Sequence, residues 1–142
     1  MSASVSGAVD QHQSLKSRRP ILYFQRALQL VGNENYSGAI ELLQQAIQQA
    51  AVDDDAKAAI NESHYQLARC AVLGKTAISE GIAAMQHYLQ HEPKADRLDW
   101  AKFRLAQLYL LSDQTDKAKA LTQPLLASTN DDKLKAELKK IL

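Results

Sequence analysis

Six small residues recur along this chain at nearly constant spacing, each in an apolar neighbourhood. One set is separated by 41 and then 38 residues, and the other by 42 and then 37. Two helices approach closely only where a side chain no larger than a methyl group faces the partner helix. Two sets that keep the same register therefore predict three copies of one helical pair. The first set is Ala27, Ala68 and Ala106, and the second is Ala39, Gly81 and Ala118.

Apolar residues around these positions recur at steps of three and four, the period of one face of an α-helix. Ile40, Leu43 and Ile47 form one such stripe after Tyr36. No stretch alternates with the two-residue period of a half-buried strand, and the segments between stripes are short. The pattern predicts an all-α fold of about seven helices in antiparallel hairpins.

Several residues predict where these helices begin and end. Gly32 and Gly74 follow apolar stripes and are predicted to end helices. The acidic run at 53–55 is predicted to cap a helix rather than to bind a cation, because the spacing of a calcium loop is absent. Pro124 lies inside a predicted helix, where it removes a hydrogen bond and predicts a kink or an early end.

The repeated hairpin resembles the tetratricopeptide repeat family. The third unit, "RLAQLY", carries Leu105, Ala106 and Tyr109, and Ala118 follows. The resemblance covers about residues 20–127 and implies a right-handed α-solenoid. The spacings exceed the roughly 34 residues of the standard repeat, so we expect an irregular superhelix. The implied repeats are at about 20–53, 54–93 and 94–127.

The two ends of the chain differ from the repeats. Residues 1–18 are rich in Ser, Ala and Gln without a clear period and predict a flexible arm, which leaves 19–142 as the tetratricopeptide-like domain. Residues 131–142 place Leu134, Leu138 and Ile141 on one face and lysines on the other. That amphipathic helix is predicted to cap the solenoid.

The composition excludes several classes of function. Seventeen basic and 16 acidic residues nearly balance, so no strong field favours nucleic acid or an anionic membrane. No apolar run is long enough to span a bilayer. Cys70 is the single cysteine, which fits a reducing compartment. We expect a cytoplasmic protein, or a periplasmic one if a signal or anchor is missing from this sequence.

No pattern of catalytic residues is evident, so the chain is predicted not to be an enzyme and to need no cofactor or metal. His87 and His91 are four residues apart on one helix, with His64 and Glu92 as distant helpers. Two histidines make a weak metal site, because structural zinc takes four ligands, and we expect a solvent-facing pair. Cys70 lies among apolar residues and is predicted to pack.

The resemblance also implies a binding surface, because the first helices of successive tetratricopeptide hairpins line a concave groove that holds a peptide or a helix of another protein. The register gives a mixed set with two arginines, suited to a segment with apolar and acidic side chains. Some of its aromatic residues could instead pack between repeats. The implied groove residues are Phe24, Leu28, Val31, Tyr65, Gln66, Arg69, Val72, Trp100, Phe103, Arg104, Gln107 and Leu110.

These observations predict a non-enzymatic adaptor or assembly scaffold that binds another protein, without nucleic acid or membrane insertion. One alternative is a small secretion-type chaperone for an aggregation-prone client, since three repeats with an N-terminal arm are also the build of type III translocator chaperones. That alternative includes a homodimer. Another alternative is an accessory domain of a larger enzyme or envelope complex.

Overall fold

The computed structural model describes residues 18–91 and 93–142. The predicted flexible arm lies almost wholly outside the described residues. Within them the chain is all helical and contains no strand, which confirms the all-α part of the predicted fold. A single 3-10 turn, Ala95–Arg97, precedes the fifth helix. The helices are α1 (18–32), α2 (Tyr36–Ile47), α3 (Asp54–Gly74), α4 (Ile78–Gln90), α5 (Leu98–Leu111), α6 (Thr115–Ser128) and α7 (Asp132–Ile141).

Side-chain caps set the start of three helices. The carboxylate of Asp53 accepts a hydrogen bond of 2.9 Å from the amide of Ala56, and two further aspartates occupy the first turn of α3. This arrangement confirms the capping role of the acidic run and complements the positive end of the helix dipole. Asn35 caps α2 and Asp131 caps α7 in the same way.

The corners after α1, α3 and α5 share one backbone geometry. In each, an amide donates to the carbonyl five residues earlier: Asn35 to Leu30, Thr76 to Ala71, and Gln114 to Tyr109, at 2.8, 3.2 and 2.8 Å. This bond is the signature of a Schellman helix end, whose penultimate residue is left-handed. That position holds Glu34, Lys75 and Asp113, with φ of 59°, 49° and 59°.

The predicted helix ends at Gly32 and Gly74 hold, but neither glycine supplies the left-handed residue. Both helices end at those positions, and no glycine among the described residues has a positive φ. Gly74 serves a different purpose, because a Cβ there would lie 2.9 Å from the Cβ of Tyr36. It is small so that the end of α3 can pass close to the start of α2.

Helices that follow one another in sequence pack together from α2 to α7, and α3 also packs against α5. All six recurring small residues are buried, as the close-packing argument predicts. Gly81 shows the reason most clearly: a Cβ at this position would lie 2.7 Å from the Cβ of Ala71. Even a methyl group is too large where α4 meets α3.

Of the two outcomes predicted at Pro124, a kink or an early end, the early end is excluded. Helix α6 continues through the exposed proline to Ser128. Helix α7 then buries Leu134 and Leu138 completely against Phe103 and Leu125. None of the described helices is both long and apolar enough to cross a bilayer.

Candidate functional site

Two arginines from neighbouring helices, Arg69 on α3 and Arg104 on α5, are both half-buried. Each guanidinium is held by a glutamine one turn away on its own helix. Arg69 donates to the side-chain oxygen of Gln66 at 3.3 Å, and Arg104 donates to that of Gln107 at 3.0 Å. A neutral amide orients a guanidinium without cancelling its charge. We call these four residues the arginine face.

The two guanidinium groups lie close enough to influence each other. Burial lowers the pKa of Arg104 from its ordinary value, and the like charge of Arg69 lowers it further. Burial raises the pKa of Tyr65, and the nearby positive charges of Arg97, Arg104 and Arg69 oppose that rise. Tyr65 is therefore a buried residue with three arginines near it.

Within residues 18–91 and 93–142, no ion pair neutralises the charge of the arginine face. Among the described residues, no carboxylate lies within salt-bridge distance of Arg69 or Arg104. Arg97 differs, because it pairs with Glu62 while its guanidinium lies 4.9 Å above the ring of Tyr65. Arg97 is not among the residues predicted from the sequence, because it belongs to a 3-10 turn that no periodicity marks.

A depression of about 380 Å³ adjoins the arginine face between α5 and α7. It is lined by Trp100, Phe103, Arg104 and Gln107 from α5, and by residues of α7 that include Glu137. The carboxylate of Glu137 is bound to Lys140 at 3.1 Å, although its charge still raises the pKa of Arg104. The depression therefore joins apolar, basic and acidic side chains.

Two of the predicted groove aromatics hold α7 in place. The indole of Trp100 donates a hydrogen bond of 2.9 Å to Asp131, the residue that caps α7. Its ring meets Phe103 edge to face at 5.7 Å. Phe103 is only 1% exposed and packs with Leu125 and the α7 leucines. Trp100 remains half-buried beside the depression, whereas Phe103 belongs to the core.

The other predicted groove residues divide between core and surface. Tyr65 is buried in the core, and Phe24, Val31, Val72 and Leu110 are half-buried against core clusters. Leu28 on α1 is exposed. The structure thus joins the α3 and α5 polar residues in one face, while most predicted apolar residues pack inward.

The histidines are placed differently from the prediction. His91 is exposed, but His87 is half-buried and its ring stacks on His64, which is only 7% exposed. The ring centroids of His64 and His87 are 3.9 Å apart, as are those of His87 and His91. A purely solvent-facing pair is therefore wrong. Within the described residues, no group of three or more His, Cys, Asp or Glu could hold a metal ion.

Cys70 is fully buried in the cluster that joins α2, α3 and α4. Burial raises the pKa of its thiol to about 11, and the charge of Arg69 only partly opposes that rise. Because the thiolate is the reactive form, this thiol is inert at neutral pH. Packing is the role that its surroundings support.

Neither the family models nor the curated proteins nor the solved structures contain a match to this chain.

Proposed function

We propose that this chain is a non-enzymatic protein interaction module that captures an acidic and apolar segment of a partner protein on the arginine face. Its architecture in this proposal is a right-handed solenoid of tetratricopeptide-like hairpins capped by α7. The free thiol of Cys70 fits a cytoplasmic setting. The observation that carries the proposal is a pair of half-buried arginines without an ion-pair partner among the described residues.

The repeat architecture is supported by the three equivalent corners. Each accepting carbonyl lies three residues after a small marker, as Leu30 follows Ala27 and Ala71 follows Ala68. The same geometry at the same offset is what a repeated structural unit would produce. The contact between α3 and α5 is the one expected between first helices of successive hairpins.

The binding chemistry follows from the unbalanced charge. Two neighbouring guanidiniums repel each other, and burial removes part of the water that would screen them. A carboxylate placed between them would relieve that repulsion and accept charge-assisted hydrogen bonds, each worth about 1.5–3 kcal/mol. Trp100 and the adjoining depression offer apolar area to a neighbouring side chain of the same segment.

The non-enzymatic class is supported by the state of the nucleophile candidate. Cys70 is buried, and that burial raises the pKa of its thiol. A catalytic cysteine needs an accessible thiolate beside a base.

A displayed library of peptides that mix acidic and apolar residues tests the proposal. The wild-type chain should select acidic sequences, and the double variant Arg69→Glu/Arg104→Glu should lose them, because it reverses the charge of the face. The matched control is Arg26→Glu/Lys119→Glu, which makes the same charge change at exposed positions on α1 and α6. Equal losses in both double variants would show that only net charge matters and would overturn the site.

A further inference from the structure

Three histidine rings form a row where α3 packs against the C-terminal half of α4. The planes of His64 and His87 are inclined by 30°, and those of His87 and His91 by 14°. His64 is buried, His87 is half-buried and His91 is exposed, so the row runs from the interior to the surface. We call these three residues the histidine row.

The polar atoms of this row are poorly satisfied. The Nδ1 atoms of His64 and His87 are buried and have no hydrogen-bond partner in the described structure. The Nδ1 of His91 lies 2.9 Å from the backbone carbonyl oxygen of His87. The row is therefore a series of ring contacts, and no group of three or more His, Cys, Asp or Glu among the described residues could hold a metal ion.

Cavities flank the row on two sides. A cleft of about 510 Å³ between α2, α3 and α4 is lined by His64 and His87 and by the apolar Ile47, Leu67 and Ala84. A second cavity of about 400 Å³ is lined by His87, His91 and Ile60 among others. Because His87 lines both, its ring lies between the two cavities.

Few charged groups near the histidine row could stabilise its protonated form. Glu80 on α4 lines the larger cavity and is exposed, and Lys57 on α3 lines the smaller one. The facing residues of α2, Gln44 and Gln48, are uncharged. Asn61 and Gln90 line the smaller cavity and are also uncharged. Glu92 follows His91 in sequence and lies outside the described residues.

We propose that the histidine row is an acid-sensitive latch between α3 and α4. When its rings take up protons, they repel one another at 3.9 Å and lose their stacking in the apolar surroundings. The C-terminal half of α4 then separates from α3, and the cleft between them widens. The device is independent of the arginine face, which lies on other residues of α3 and α5.

The direction of the response follows from proton linkage. Burial, followed by the charges of His87 and His91, lowers the pKa of His64 from 6.5 to about 4, and burial and His91 lower the pKa of His87. In an open form, in which water reaches the rings, His64 would titrate near 6.5. Between pH 6.5 and pH 4 the open form binds more protons than the closed form, so acid favours opening.

The buried thiol of Cys70 reports this opening. Cys70 packs with Leu67 and Ala84, and both of these residues line the cleft. Its labelling by 4,4′-dithiodipyridine, a reagent that also reacts in acid, is measured at pH 7.5 and 5.0 and divided by the rate of the urea-unfolded chain at each pH. Protection of the wild-type thiol should fall by about 25-fold, which is the linkage expected for exposing His64.

Three variants separate the latch from general acid weakening. His64→Phe keeps a ring in the row without a titrating group, and its protection should be nearly equal at the two pH values. His91→Phe is the matched control, since it changes the exposed end of the row and should keep most of the wild-type response. If His64→Phe lacks the wild-type circular dichroism at pH 7.5, His64→Gln takes its place.

The proposal is overturned if wild-type protection does not change with pH, or if His64→Phe loses protection as much as wild type does. A third result would also overturn it. If the labelling rate at pH 5.0 rises with low urea as steeply as global unfolding does, then exposure of Cys70 requires the whole domain to unfold.

Discussion

At the scale of single residues, the arginine face depends on charges that the fold brings together but does not neutralise. The resemblance in sequence predicts that Arg69 and Arg104 lie on corresponding helices. The structure shows both half-buried, with their side chains held by glutamines. The histidine row, by contrast, could not be predicted from the sequence. His64 and His87 are 23 residues apart, and only the packing of α3 on α4 places their rings in contact.

We expect the substitution Arg104→Gln to weaken peptide capture without loss of stability. Removal of one guanidinium ends the repulsion with Arg69 and leaves a side chain that can still pack and hydrogen-bond. The thermal midpoint should stay within a few degrees of wild type or rise, while affinity for an acidic peptide should fall roughly tenfold or more, the loss of one charge-assisted contact. Calorimetric titration and thermal unfolding measure the two effects. A midpoint that falls by ten degrees would show that Arg104 is a structural residue.

Acid should destabilise the fold through His64. The unfolded chain binds a proton to this residue below pH 6.5, whereas the folded chain does so only near pH 4. The stabilisation that comes from the neutral form of His64 is fully present above pH 6.5 and is lost as the pH falls toward 4, by about 3 kcal/mol in total. Urea unfolding at pH 7.5 and 4.5 should show a smaller drop for His64→Phe than for wild type. Equal drops would assign the acid sensitivity to other groups.

At the scale of the elements, the corners after α1, α3 and α5 have the same backbone conformation although their residues differ. Glu34, Lys75 and Asp113 all adopt the left-handed conformation at the same position of a Schellman ending. Glycine is the residue that this position usually prefers, because a Cβ makes the conformation strained. The helix ends could be predicted from glycines nearby, but the left-handed residues could not, since side-chain identity does not mark them.

Glycine at one of these corner positions should stabilise the protein. We expect Glu34→Gly to raise the free energy of unfolding by about 1 kcal/mol, because it removes the left-handed strain. Glu41→Gly, at an exposed position inside α2, should lower the free energy of unfolding by a similar amount. Urea denaturation of both variants checks the contrast. Destabilisation by Glu34→Gly would mean that the glutamate side chain makes a contribution larger than its backbone strain.

The close contact between α3 and α4 can be tested with a single methyl group. Gly81→Ala places a Cβ 2.7 Å from the Cβ of Ala71 and 3.3 Å from Leu108, so the helices must move apart. We expect a loss of about 1–3 kcal/mol. Gly32→Ala is the control, because nothing lies within 4 Å of its Cβ and alanine is the better helix former. A neutral Gly81→Ala would contradict the packing reason given for the recurring small residues.

At the scale of the whole molecule, α7 closes the apolar end that α5 and α6 leave open. Leu134 and Leu138 are completely buried against Phe103 and Leu125, and Trp100 binds the cap residue of the helix. The amphipathic pattern of residues 131–142 predicted this burial, but not that Trp100 and Phe103 would be the residues that receive it. The depression beside the arginine face therefore exists only while α7 is docked.

Truncation of one α7 leucine should weaken the fold and release Trp100. We expect Leu134→Ala to cost about 2–5 kcal/mol, as other large-to-small core substitutions do. The tryptophan emission should shift to the red, because the indole loses its hydrogen bond to Asp131 and becomes wetter. Lys139→Ala, at an exposed position of the same helix, should change stability by less than about 0.5 kcal/mol. Unchanged emission in Leu134→Ala would show that α7 docks independently of this leucine.

The sequence alone determined the helices and the positions where helices pack closely. Helix period and capping act between residues near one another in the chain, and the size of each small residue is given by its identity. Only the tertiary structure decided which polar groups meet. The repulsion of Arg69 and Arg104, the burial of Phe103 under α7 and the histidine row all depend on contacts between helices. Side-chain charge and burial are properties of those contacts, and a one-dimensional pattern does not contain the distances that set them.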